Sequence, residues 1–256
     1  MKCVYTDLDG TLLGQGASLF RTADGDFTLL AARALEACHR AGVEVVIKSG
    51  RRRAQVMEDA RLLGQTSYIF EVGTGMVIDG ELTWLTGDLQ PRDGLTIHDQ
   101  IEQTGAPAQL LERHSGRLEP HTPWDVDREV SHLFRGTIDV REANELLASS
   151  GHADLRLVDN GEIEGGLHAF HLIPAVSSKA AAVVAHMRAR GYAPEECIGV
   201  GDSAEDLDVA AVVGRFFLVA NADVPATPGV ERTEAAMSEG FYEAVMRALA
   251  EARAGS

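Results

Sequence analysis

The sequence predicts an α/β fold, a doubly wound parallel sheet carrying an α+β insertion. Short β-branched runs alternate with stretches of helical spacing, the order that builds a parallel sheet with crossover helices. Glycines such as Gly42 and Gly64 follow helical stretches, where a left-handed residue stops a helix. Between about residue 85 and residue 173 the alternation loosens, and prolines and histidines accumulate.

Taken in order, "KCVYT" (2–6) reads as a first strand, "LLAARALEACHRAG" (29–42) as a helix and "VEVVIK" (43–48) as a second strand. "RAQVMEDARLLG" (53–64) is a second helix and "SYIFEV" (67–72) a third strand. "GTGMVIDGELTW" (73–84) follows as a hairpin with Asp79-Gly80 at its turn. The alternation resumes with a helix over 177–191 capped by Ser177 or Ser178, a strand "CIGVG" (197–201) and a helix over 204–214. A strand "RFFLVA" (215–220) and a terminal helix over 240–252 complete the chain. The expected division is a core of residues 1–84 and 174–256 interrupted by an α+β domain over 85–173.

Composition narrows the function. The 256 residues, 45% of them hydrophobic, suffice for a sizeable core. The net charge of −16 and the lack of a basic run longer than Arg51-Arg52-Arg53 argue against nucleic acid and lipid surfaces as partners. Cys3, Cys38 and Cys197 have no metal-binding spacing and lie in apolar stretches, as buried reduced thiols of a cytoplasmic protein would. No apolar run is long enough to span a bilayer. Only Lys2, Lys48 and Lys179 are lysines in a background of arginine, which draws attention to Lys179 and Lys48 as places where a compact ammonium is needed.

Parallel sheets bind ligands beyond the carboxyl ends of their strands. Asp7 and Asp9 follow the first strand, Ser49-Gly50-Arg51 the second and Asp202 the strand at 197–201, while Asp206 stands one helical turn further on and Lys179 opens a helix. Carboxylates, a hydroxyl and a lysine at converging strand ends suit phosphoryl transfer, where positioning and charge neutralisation do most of the work. A carboxylate can attack phosphorus if a cation offsets the repulsion between anions, and Mg2+ suits an acid pair plus phosphate.

These residues carry a resemblance. "DLDGTLL", "VVIKSGR", "SSKAAAV" and "GDSAEDLD" resemble, in this order, the four motifs of the haloacid dehalogenase superfamily of phosphohydrolases, whose core is Rossmann-like. The resemblance implies Asp7 as nucleophile and Asp9 as general acid and base. Ser49 and the Gly50 amide would hold phosphoryl oxygens with Arg51 beside them, and Lys179 would neutralise Asp7 and the phosphoryl group. It also implies Mg2+ held by Asp7, the Asp9 backbone carbonyl and Asp202, with Asp206 in or near the outer shell.

An insertion between the second and third motifs is where members with a large α+β cap carry it, so substrate choice is expected in residues 85–173. "EVSHLF" (129–134) and "HLIPAVSSKA" (171–180) resemble segments of the sucrose-phosphate, trehalose-phosphate and mannosyl-3-phosphoglycerate phosphatase group. "FEVGTGMV" (70–77) resembles the corresponding segment of sucrose-phosphate phosphatases, which implies Gly73 and Thr74 near substrate. A plain hairpin turn is the competing reading. The expected substrate is a small phosphorylated molecule, in the first instance a sugar phosphate; a phosphomannomutase-like transferase and a weakly catalytic binding protein are the alternatives.

Two departures from the pattern stand out, Lys48 before Ser49 and Glu205 three residues after Asp202. Lys48 is expected to contact an anion or to pair with an acid such as Glu205, the alternative being a solvated strand end. His168 and His171, three apart on a strand, should face opposite sides and form no metal site. Arg128, His132 and Arg135 are possible substrate contacts, with an exposed sheet face as the competing reading. Oligomeric state leaves no mark on the sequence.

Overall fold

The computed structural model describes residues 1–254. Its larger sheet has eight strands. These are β1 (Cys3–Thr6), β2 (Glu44–Lys48), β3 (Ser67–Phe70), β4 (Gly75–Ile78), β5 (Glu81–Trp84), then β10 (Cys197–Gly201), β11 (Arg215–Leu218) and β12 (Glu231–Arg232). Their order is β12-β11-β10-β1-β2-β3-β4-β5. All neighbours from β12 to β3 run parallel, and β4 and β5 are antiparallel additions at one edge. The β4–β5 turn is Asp79-Gly80, both with positive φ, as a tight hairpin turn requires.

Alternate residues of the central strands feed two cores, because side chains of a strand point to opposite faces. On one face Val4, Val45 and Ile47 pack with residues of α1 (Leu30–Arg40), α2 (Arg53–Leu62) and α8 (Met237–Ala254). On the other, Cys3, Tyr5 and Val46 pack with α6 (Lys179–Arg190) and α7 (Ala204–Ala210). The sheet is therefore doubly wound. The three cysteines are free and buried.

A second, antiparallel sheet of order β6-β7-β9-β8 is built from β6 (Leu118–Pro120), β7 (His132–Gly136), β8 (Leu155–Glu164) and β9 (Leu167–Pro174). Helices α3 (Ile97–Gln103), α4 (Ala106–Arg113) and α5 (Val140–Ser149) close a separate core around Leu110, Phe134, Leu147, Phe170 and Leu172. Thr96 caps α3 with a reciprocal bond to Asp99, which satisfies two orphan donors of the first turn.

Two of the expected elements stop short for reasons the backbone shows. The third strand stops at Phe70 because Glu71 and Val72 turn to φ +44° and +59°. The helix expected over 204–214 ends at Ala210, after which the chain turns so that the Gly214 amide can donate to Pro194 and Cys197.

Candidate active site

Asp7 follows β1, and its amide donates to the Val200 carbonyl of β10 at 3.0 Å, which sets the side chain at the carboxyl ends of both strands. Its Oδ1 accepts from Lys179 Nζ at 2.8 Å. Lys179 opens α6 behind the cap Ser178, whose hydroxyl accepts from the Ala181 amide. Burial works against a charged Lys179, but Asp206 and Asp7 outweigh it and hold the ammonium protonated. A Cβ on Gly73 would lie 2.2 Å from the Ser178 carbonyl oxygen. Gly73, expected near substrate, therefore seats the end of α6 that presents Lys179, and Thr74 is buried beside it.

The two lysines converge on one acid. Asp206 Oδ1 accepts from Lys179 at 3.0 Å and from Lys48 at 2.5 Å, while Oδ2 accepts from the Asp202 amide, the Ser203 amide and the Ser203 hydroxyl. With both oxygens bonded, Asp206 is a holder of cations and of the Asp202 loop. Lys48 pairs with Asp206 and is fully buried, so neither the Glu205 partnership nor the solvated strand end applies. Glu205 instead pairs with Arg156 of the smaller sheet at 3.1 Å.

Asp202 accepts from Thr11 Oγ1 at 2.7 Å. A Cβ on Gly10, at φ +76°, would fall 2.4 Å from Asp202 Oδ2, so only glycine lets the first motif pass this close. Among the described residues, Asp7, Asp202 and Asp206 bring carboxylate oxygens within 4.8 Å of one another. Burial, followed by the repulsion of neighbouring carboxylates, pushes Asp202 up to about 7, and burial dominates in raising Asp7 to about 6. A set of hard oxygen donors with surplus negative charge fits a small divalent cation. A second trio, Cys3, Glu44 and His186, does not, because Arg190, Ser67 and Tyr192 already occupy Glu44.

Asp9 is placed apart from that trio. Its carboxylate is gripped by Arg51, Nη2 at 2.6 Å and Nε at 2.8 Å. Arg51 also holds Asp59 at 2.9 Å, so its whole fork serves protein acids. Ser49 is buried, and its hydroxyl accepts from the Arg51 amide at 3.1 Å.

The smaller sheet reaches the same place. Glu71 accepts from the amides of Glu129, Val130 and Ser131 and from the Ser131 hydroxyl, at 2.6 to 3.2 Å. Arg128 donates to the Gly50 carbonyl at 3.1 Å and to Ser131 Oγ at 3.0 Å. Arg52 and Arg53 pair with Asp127 and Glu129. Of the three residues flagged on the insertion, Arg128 thus lies at the site, whereas His132 stacks on His98 and Arg135 pairs with Glu119. His168 pairs with Asp159 and His171 is buried against Ser131. Sequence reasoning missed Glu71 altogether, since one acid at a strand end carries no spacing signal.

Comparison with known proteins agrees with this geometry. No family model matches the chain. Curated relatives named phosphoglycolate phosphatase include one from Methanococcoides burtonii, 24% identical with 97% of each chain covered, and one from Halorubrum lacusprofundi, 27% identical with 96% of this chain and 95% of the relative covered. Solved structures with the same fold include a haloacid dehalogenase-like hydrolase from Bacteroides thetaiotaomicron, TM-score 0.68 at 15% identity, covering 96% and 99% of the two chains. A sucrose-phosphatase from Synechocystis aligns at TM-score 0.67 and 16% identity, covering 96% and 97%. The chain thus has the fold of haloacid dehalogenase-like hydrolases and is similar over nearly its whole length to proteins named as phosphatases. Measured against the four motifs, the acid trio and Lys179 occupy one cluster, and each departure meets an opposite charge of this chain's own, Asp206 for Lys48 and Arg156 for Glu205.

Proposed function

We propose that this protein is a Mg2+-dependent phosphatase of a small, hydroxylated phosphomonoester such as a sugar phosphate, working through an aspartyl-phosphate. The observation that carries the reading is Asp7 held by Lys179 beside Asp202 at adjoining strand ends. Asp7 and Asp202 would hold the metal, which supplies charge neutralisation at the phosphoryl oxygens when bound.

An Asp7 oxygen forms a bond to phosphorus as the ester P–O bond breaks. Asp9, once off Arg51 and protonated from solvent, gives that proton to the leaving oxygen. Water then attacks the same phosphorus while Asp9 takes the proton back, and rupture of the Asp7–phosphorus bond frees inorganic phosphate. Lys179 keeps the Asp7 carboxylate ionised and positioned, and the Ser49 hydroxyl with the Gly50 amide orients the phosphoryl group. Arg128 and Glu71 seat the smaller sheet over the loop, which keeps bulk water from the intermediate.

The names of the curated relatives favour a second reading, a two-carbon phosphorylated carboxylate. A panel of sugar phosphates, polyol phosphates and phosphoglycolate, assayed for phosphate release with Mg2+ and with Asp7→Asn as control, tests both. Release lost in Asp7→Asn supports hydrolysis. Transfer of phosphate to a sugar acceptor without release would overturn it in favour of a transferase.

A further inference from the structure

The smaller sheet lays two side chains against the phosphate loop. The place a Cβ on Gly50 would take is 2.9 Å from His171 Nε2 and 2.8 Å from Asn160 Nδ2. Asn160 Oδ1 is buried without a partner, and His171 is 2% exposed. A buried acceptor left unpaired beside a reaction site costs free energy unless a ligand supplies the donor.

The hydrogen bonds around Ser131 fix which ring nitrogen of His171 carries the proton. A serine hydroxyl has one hydrogen to give and two lone pairs. Ser131 Oγ sits 2.8 Å from Glu71 Oε2, an oxygen that also accepts the Ser131 and Val130 amides, so the hydroxyl hydrogen goes to Glu71. Arg128 Nη1 donates to the same Oγ at 3.0 Å. His171 Nδ1, 3.2 Å away, then meets only the remaining lone pair and must be the donor. In a neutral imidazole that leaves Nε2 as a bare acceptor. Burial, and then the cations Arg128 and Lys179, keep the ring neutral.

We propose that His171, with Asn160 beside it, is a specificity-determining residue that accepts a hydrogen bond from a hydroxyl on the leaving portion of the substrate. A carboxylate brought to the same place would set its lone pairs against that of Nε2, with only the Asn160 amide nitrogen left to donate to it. The chain therefore selects hydroxylated phosphomonoesters and discriminates against the carboxylated ones after which its curated relatives are named. The proposal rests on the phosphatase reading above and goes beyond it by naming the group that is recognised.

Three matched esters test it: 2-hydroxyethyl phosphate, ethyl phosphate and phosphoglycolate, which differ only in the group at the second carbon. The expected kcat/KM order is hydroxyethyl, ethyl, phosphoglycolate, with about tenfold between the first two, the size of one hydrogen bond to a site built for it. In His171→Leu the hydroxyethyl-to-ethyl ratio should fall to about one, and His171→Gln, whose amide oxygen can accept, should restore part of it. The ratio cancels any general loss of catalysis. Nitrogen-15 spectra of the free protein should show His171 as the Nδ1–H tautomer, and an Nε2–H tautomer overturns the proposal without any assay. A preference for phosphoglycolate, or a hydroxyethyl-to-ethyl ratio unmoved by His171→Leu, overturns it while leaving the phosphatase reading intact. Failure of every ester, including sugar phosphates, overturns both.

Discussion

Lys48 Nζ and Asp206 Oδ1 lie 2.5 Å apart with neither side chain exposed. The carboxylate shares this oxygen with Lys179, so two ammoniums rest on one buried acid. The local sum is Asp7, Asp202 and Asp206 against Lys48 and Lys179, one fewer surplus negative charge than Lys179 alone would leave.

The stability of the metal-free protein should report that arrangement. Lys48→Met leaves Asp206 its Lys179 and Ser203 partners and should cost about 2 kcal/mol, below the ~3–5 kcal/mol for stranding a buried charge completely. Asp206→Asn strands Lys48 and leaves Lys179 with Asp7 alone, and should cost more, about 4 kcal/mol. In the double variant Lys48→Met/Asp206→Asn one stranded charge is gone, so the cost should fall below that of Asp206→Asn. Denaturant unfolding in chelator measures all three. Strictly additive losses would contradict the shared-acid geometry.

Glu71 should govern how firmly the smaller sheet is seated. Its Oε2 accepts three donors from Val130 and Ser131 and its Oε1 accepts the Glu129 amide. Glu71→Gln keeps the shape but turns one acceptor oxygen into an NH2 facing N–H donors. A loss of about 2–3 kcal/mol is expected, the scale for hydrogen bonds to a charged group. Hydrogen exchange at the amides of residues 129–131 should accelerate by 10-fold or more on that basis. Unchanged protection there would show that Glu71 does not hold the segment.

Acid stability should depend on Glu44. Burial alone would raise its carboxyl, but the hydrogen bonds to His186, Ser67 and Arg190 outweigh that and lower it to about 2. A carboxylate whose folded value lies below its unfolded one stabilises the protein above about 4.5 and loses that contribution as pH falls toward 2. The stability difference between wild type and Glu44→Gln should therefore be full at pH 6 and shrink through that window, read by denaturant midpoints at a series of pH values. A difference constant from pH 6 to pH 3 would remove Glu44 from the acid response.

The sheet, its winding and the residues at its strand ends were legible because apolar runs and strand-to-loop positions are local in the sequence. Asp7, Lys179, Asp202 and Asp206 meet as that reading expects, although Asp206 is taken up by two lysines. What was illegible depends on contacts distant along the chain. Lys48 lies 158 positions from Asp206, and Glu71 meets Ser131 60 positions away. Even Arg51-Arg52-Arg53, which looks like one basic run, divides among Asp9 and Asp59, Asp127, and Glu129. Helix α3 of the inserted segment went unread despite a local signal, the Thr96-x-x-Asp99 box.

Asp7 and Asp9 flank one leucine but hold different partners, Lys179 for the first and Arg51 for the second. Different partners imply roles that cannot be exchanged. Asp7→Asn removes the attacking oxygen's charge and should lower kcat by at least about 10³-fold, as loss of a nucleophile does. Asp7→Glu keeps the charge but moves it by one methylene in a site where Val200 and Lys179 fix the geometry, and misplacement on the order of 1 Å costs about 10²-fold or more. Asp9→Asn spares the attack but cannot deliver a proton to the leaving oxygen. Its deficit should therefore be largest for alkyl phosphates and smallest for p-nitrophenyl phosphate, whose leaving group needs no acid. Rates for the three variants on both ester types decide the assignment: a leaving-group dependence in Asp7→Asn instead of Asp9→Asn would reverse the two roles.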